Sequence, residues 1–280
     1  MASSFFVPMN QHDKPIGIFD SGIGGLTVAS AIRKELPGES FIYFGDTAHL
    51  PYGDKSPENI RAYADRITHF LLDHDCKAIV IACNTASAHA YKTVKKICGA
   101  RIPVINVIDP VAEYTSKNYS DCKVGVIGTK GTIQSRVYVK RIEKLNKSLK
   151  VISNATPLLA PMIEEGYYNN KISQTIINSY LSKPNFDKIK AIILGCTHYP
   201  LIKKEVDQYF KKKVEIIDSA SVVAQRVAAV LAEKNLQRKD GKKVKLNFFV
   251  SDYTESFEQS TRIFFQEKIK LELADIWTVR

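Results

Sequence analysis

Residues 191–200 read AIILGCTHYP, and residues 78–87 read AIVIACNTAS. Each runs apolar for four positions, reaches a cysteine at the sixth, and then turns polar. A short apolar, β-branched run of this kind is a strand covered on both faces, the form that parallel sheets require. Cys83 and Cys196 stand 113 positions apart, about the length of one domain. The chain therefore reads as two halves built alike, each ending one central strand on a thiol.

Working outward, further runs repeat the strand signal: IGIFD (16–20), FIYFGD (41–46), PVINVI (103–108), KVGVIGT (123–129), LKVISN (149–154), VEIID (214–218) and KLNFFV (245–250). Amphipathic stretches lie between them. In ENIRAYADRITHFLLDH, Ile60, Tyr63, Ala64, Ile67, Phe70 and Leu71 recur at helical spacing, and the Ala-rich SASVVAQRVAAVLAEKNL (219–236) opens on Ser. Alternating strands and helices define an α/β protein with mainly parallel sheets flanked by helices. At 280 residues and 45% hydrophobic, the chain can bury one large core or two ordinary ones.

Composition excludes several classes. No apolar run approaches the roughly 18 residues of a spanning helix. The N-terminal MASSFFVPMNQHDK lacks a basic region before its short apolar patch and reads as a loose tail on a cytoplasmic protein. Five cysteines without a C-x-x-C pair, and six histidines without H-E-x-x-H, give neither a disulfide framework nor a metal site. The net charge of +11 invites a nucleic-acid reading, but the lysines are spread over helix faces. Their short knots, Lys211 to Lys213 and RKDGKKVK (238–245), have no interleaved aromatic residues to stack bases. A solvated surface that could steer a small anion is the simpler account.

Ligands of open parallel sheets sit beyond the carboxyl ends of the strands, where helices begin. A thiol there gains from the partial positive charge of a helix start, which favours thiolate. Asn84, Thr85, Thr197 and His198 add polar groups suited to a carboxylate and an amine. Either cysteine alone could be a small buried residue finishing a core strand; two in matching contexts point to chemistry. IFDSGIGGLTV (18–28) is a third strand end, where Gly22, Gly24 and Gly25 allow close backbone approach to a ligand. Thr27 occupies the place of the last Gly of a dinucleotide fingerprint, so no nucleotide cofactor is expected. Asp20 is either a functional acceptor or a cap for the next helix. FGDTAHLPYG (44–53) is a fourth such loop, a plain turn or a pocket wall.

DSGIGGLTV, GDTAHLPYG, ACNTASA and GCTHYPL, in this order, resemble the glutamate racemases of the cofactor-independent amino-acid racemase superfamily. The resemblance implies two pseudosymmetric α/β domains with the active site in the cleft between them. It implies a discontinuous first domain, residues 1–103 and 216–280, and a second of residues 104–215. Cys83 and Cys196 would be the two acid/base residues, with Asp20 assisting Cys83 and His198 assisting Cys196. PMIEEG (161–166) resembles a stretch bearing a supporting glutamate, which falls on Glu164. Asp20, Ser21, Tyr52, Gly53, Asn84, Thr85, Thr129, Thr197 and His198 would bind glutamate. The resemblance further implies no cofactor, a homodimer, and supply of D-glutamate for peptidoglycan. A racemase of aspartate or another acidic amino acid, and a non-catalytic amino-acid binding protein, remain the alternatives. His198 after Cys-Thr favours glutamate, since related aspartate enzymes tend to carry Glu there.

Overall fold

The computed structural model describes residues 10–278 apart from 240 and 242. The N-terminal tail of the sequence reading lies largely outside the described residues, as do Asp240 and Lys242 of the second basic knot. Among the described residues ten strands form two sheets: β1 (Ile16–Asp20), β2 (Phe41–Gly45), β3 (Ala78–Ile81), β4 (Val104–Asn106), β5 (Lys123–Gly128), β6 (Lys150–Ala155), β7 (Ile189–Gly195), β8 (Glu215–Ile217), β9 (Leu246–Val250) and β10 (Glu272–Leu273). Eleven α-helices accompany them among the described residues: α1 (Leu26–Glu35), α2 (Pro57–Asp73), α3 (Asn84–Cys98), α4 (Ile108–Asn118), α5 (Lys130–Gln134), α6 (Val137–Leu145), α7 (Leu159–Glu164), α8 (Lys171–Leu181), α9 (Lys203–Tyr209), α10 (Ser219–Glu233) and α11 (Glu255–Phe265).

The first sheet has the order β10-β9-β2-β1-β3-β4 and the second β6-β5-β7-β8. Every pairing is parallel. All nine strands expected from the sequence are present; β10, two exposed residues, is the addition. β4, which the sequence reading gave to the second domain, hydrogen-bonds to β3 in the first sheet. β8 pairs with β7, so the chain leaves the second sheet after Ile217.

Alternation along the strands sorts the core into two layers. Ile16, Ile18, Ala78 and Val80 face a large cluster shared with α1, α10 and the second sheet. Phe19, Ile79 and Ile81 face the other way, onto Ile60, Ala64, Ile67 and Leu71 of α2 and Ala86, Ala90 and Val94 of α3. Ser219 does not cap α10 as its position suggested: Asp218 accepts the Ala220 N–H at 3.0 Å, while the Ser219 hydroxyl donates to the Leu194 carbonyl at 3.0 Å.

In each sheet the chain runs to one side of a central strand and then returns to the other. β1 lies between β2 and β3, and β5 between β6 and β7. That reversal opens a crevice beyond the carboxyl ends of the central pair. Asp20 ends β1 and Cys83 follows β3; Thr129 and Cys196 follow β5 and β7.

Candidate active site

One cavity of about 260 Å³ collects these strand ends. Ser21, Tyr52, Gly53, Cys83, Asn84 and Thr85 line it from the first sheet, and Thr129, Glu164, Cys196, Thr197 and His198 from the second. Eleven of the twelve residues expected from the sequence thus border one space. Asp20 stands just behind the wall, fully buried. Gly22, Leu50, Pro51, Ala160 and Pro161 complete the lining; of these Leu50, Ala160 and Pro161 were not foreseen, each an apolar residue with no chemical signal of its own, beside a motif that has one. Among the described residues no cluster of His, Cys, Asp and Glu could hold a metal, and no helix is long and apolar enough to cross a membrane.

Cys83 is the N-cap of α3, its Sγ accepting the Ala86 N–H at 3.4 Å and lying 3.7 Å from the Ser21 hydroxyl. The helix start was expected to favour thiolate. The balance goes the other way: burial, then the charge of Asp20, push the thiol up to about 12, against the smaller pull of the Ala86 N–H and Ser21. A sulfur cut off from water loses more hydration on ionising than one helix end returns. Cys83 rests as a thiol.

Asp20 organises the loop ahead of α1. Its Oδ2 accepts the N–H groups of Gly22 at 3.1 Å and Gly25 at 3.0 Å, holding the glycine loop that leads into α1. Its Oδ1 is buried without a hydrogen-bond partner among the described residues. Burial raises its pKa, opposed by the charge of His198 and the loop N–H groups.

Cys196 has different company. No α-helix starts at it; a 3-10 turn, Tyr199–Ile202, follows instead. His198 takes the helix's place, with Nδ1 3.6 Å from Cys196 Sγ and Nε2 2.8 Å from Glu164 Oε1. Burial alone would strip the imidazole of its proton, but the hydrogen bonds and charges of Cys196 and Glu164 outweigh it and raise the pKa well above the usual value. His198 is therefore an imidazolium beside the Cys196 sulfur. Glu164 makes this bond, while its neighbour Glu165 is exposed.

The two sides of the cleft meet directly. Thr85 Oγ1 lies 2.8 Å from Thr129 Oγ1, and the Thr27 hydroxyl donates to the Thr197 carbonyl at 2.9 Å. The ring of Phe264 stands edge-on to His198, centroids 5.2 Å apart. Of the three glycines expected to approach a ligand, only Gly22 borders the cavity. Gly24 instead makes room for His198: a Cβ there would sit 2.3 Å from its Cε1.

Two parallel sheets whose switch-point crevices share one cavity, with a thiol on each side, define an amino-acid racemase of the two-thiol kind. The chain matches the Asp/Glu/hydantoin racemase family over residues 26–227 and belongs to that family of cofactor-independent isomerases. It is 43% identical over 244 residues to a glutamate racemase of Geobacter metallireducens, covering 87% of this chain and 90% of that protein. A glutamate racemase of Chlorobaculum tepidum is 41% identical over 260 residues, covering 91% and 95%. The crystal structure of glutamate racemase from Francisella tularensis in complex with D-glutamate superposes with a TM-score of 0.89 at 39% identity, covering 95% of this chain and 99% of that one.

Proposed function

We propose that the protein interconverts L- and D-glutamate by moving the α-proton between Cys83 and Cys196. The observation that carries this is the opening of both thiols into one cavity, each with its own acid/base partner. Inverting a stereocentre by proton exchange needs a base on one face of the α-carbon and an acid on the other. Cys196, as thiolate beside the His198 imidazolium, takes the proton from one enantiomer. The Cys83 thiol delivers its proton to the opposite face, and the two have then exchanged states. Asp20, with a free carboxylate oxygen, assists Cys83; His198 and Glu164 assist Cys196. For the reverse reaction the roles run backward.

The α-proton is weakly acidic while the substrate carboxylate is anionic. The developing negative charge must be met by donors already in place in a site that excludes water. Ser21, Asn84, Thr85, Thr129 and Thr197, with the N–H groups at the start of α3 and in the Tyr52-Gly53 turn, are the donors we assign to the substrate. The same reading divides the molecule into a discontinuous first domain around the first sheet and a second around the second sheet, crossing near residues 106 and 217. It places the enzyme in the cytoplasm as a homodimer supplying D-glutamate for peptidoglycan.

The test is the optical rotation or circular dichroism of L-glutamate with the purified protein and no added cofactor, in D2O. The signal is expected to decay to zero with deuterium appearing at the α-carbon. A stable signal without exchange sinks the reading and leaves a binding protein. Competition between glutamate and aspartate in the same assay decides which acidic amino acid is the substrate.

A further inference from the structure

We infer that Tyr138 is a positioning residue that fixes the side-chain amide of Asn84 with its NH2 group turned to the substrate. The inference rests on the racemase reading and deepens it. Tyr138 belongs to α6, beside the second sheet, and is 2% exposed. Its hydroxyl reaches across to the first half of the molecule and donates to Asn84 Oδ1 at 2.7 Å. Asn84 is the first residue of α3, between Cys83 and Thr85, and lines the cavity while only 3% exposed. Its Nδ2 makes no hydrogen bond among the described residues.

An asparagine amide can turn over and exchange its acceptor for its donors. Turned toward the cavity, the oxygen would meet the substrate's carboxylates with repulsion; the NH2 group meets them as a donor. Tyr138 decides between the two. Asn84 Oδ1 is the acceptor of the phenol at 2.7 Å; the Ser219 hydroxyl, whose own proton goes to the Leu194 carbonyl, is the phenol's other neighbour. In the turned-over state the phenol loses its amide acceptor and faces an NH2 group in a buried place, which costs at least the bond itself. Burial raises the phenol's pKa, opposed in part by a hydrogen bond with Ser219 and helped a little by the charge of Cys196, so the donor keeps its proton throughout the working range. Because donor and acceptor come from opposite sides of the cleft, the amide is set only when the two sides are together.

The experiment is a double-mutant cycle with Tyr138→Phe and Asn84→Ala, read as kcat and KM for glutamate in both directions. Tyr138→Phe is expected to lower kcat/KM about tenfold in the wild-type background, the equivalent of one buried bond to a neutral partner. In the Asn84→Ala background the same change is expected to cost less than about twofold, because the group through which it acts is gone. An equal loss in both backgrounds makes Tyr138 a structural residue and overturns the inference. A wild-type enzyme that fails to racemise glutamate overturns the underlying reading instead. If Tyr138→Phe does not fold, the Asn84 side-chain NH2 resonances, assigned by their absence in Asn84→Ala, are followed in the wild type. They are expected to shift when D-glutamate is added, and their failure to shift overturns the inference.

Discussion

Substituting Gly24 by Ala tests how tightly the second acid/base partner is held. The added methyl would lie 2.3 Å from His198 Cε1, 2.5 Å from Nδ1 and 2.7 Å from Thr197 Oγ1. Carbon atoms in contact stand about 3.5 to 4.0 Å apart, so the imidazole must retreat by about 1.2 Å or the glycine loop must lift by as much. Such a shift disturbs the 2.8 Å bond to Glu164, and Phe264 stands edge-on to the same ring. A misplacement of about 1 Å in a reacting constellation costs about 100-fold in rate. We therefore expect Gly24→Ala to lower kcat/KM for glutamate by about 100-fold, with about 1 to 3 kcal/mol of lost stability from overpacking. Circular dichroism of L- and D-glutamate at 25 °C gives the rates, and thermal melting of the same samples shows that the protein assayed is folded. Gly38→Ala, where a methyl meets nothing within 4 Å, is the control and should leave both unchanged. Gly24→Ala enzyme within threefold of wild type, with its melting temperature intact, would refute the reasoning.

Replacing Cys83 with Ser should remove at least about 10³ of the two-way rate, since a serine hydroxyl is far too weak an acid for the role; full racemisation by this variant would end the two-thiol assignment. Cys83 also titrates higher in the folded chain, at about 12, than in the unfolded one. Its contribution to stability is thus complete below the unfolded thiol's pKa and is lost as pH rises toward 12, where the unfolded chain has released a proton that the folded one keeps. Urea unfolding between pH 9 and 11 should show Cys83→Ser losing stability less steeply than wild type, by up to about 1.4 kcal/mol per pH unit, and parallel slopes would contradict the buried-thiol account. Lys77 and Glu39 form a buried pair at 2.6 Å near the strand starts, away from the cavity. Lys77→Met removes the 2.6 Å ion-pair partner of Glu39, leaving it the Arg238 N–H, and should cost about 3 kcal/mol in urea unfolding while kcat stays near wild type; a loss under about 1 kcal/mol would count against the pair's role. For His198→Ala, kcat should fall by different factors in the two directions, and equal factors would argue against a one-sided role.

Much of the fold was legible because parallel strands buried on both faces leave continuous apolar runs, and every such run became a strand. β10 escaped because Glu272 and Leu273 are both exposed and offer no periodicity. β4 pairs with β3, a choice that no residue of it announces: which sheet a strand joins is decided by its partner, and Val104–Asn106 reads no differently whether it pairs with β3 or β5. The site was legible for a related reason. Loops beyond strand ends keep polar residues that a core would reject, and four such loops stood out. Tyr138 and the fit of Gly24 against His198 were not, because their partners lie far along the chain and neither residue type signals the contact. The state of Cys83 was misread because the helix start can be seen in the sequence, whereas the burial that outweighs it depends on the closed cleft.

The two halves share one plan, yet the thiols are served differently: Cys83 by a helix start, a neighbouring carboxylate and burial, Cys196 by an imidazolium that is itself held by Glu164. A reaction between mirror images does not require a mirror-symmetric site. L- and D-glutamate have equal free energy in water, so their equilibrium constant is one, and kcat/KM must be equal in the two directions for the wild type and for every variant. Asymmetry can appear only in kcat and KM taken separately, where the enzyme-bound states differ. What the site needs is one proton shared between two sulfurs, with a single predominant resting arrangement. Two identical thiols would divide the free enzyme among forms with both, either or neither ionised. By keeping Cys83 protonated and placing a cation beside Cys196, the structure favours one of them, which is ready for the enantiomer whose α-proton faces Cys196; the other enantiomer reacts only from the form in which the proton has passed from Cys83 to Cys196.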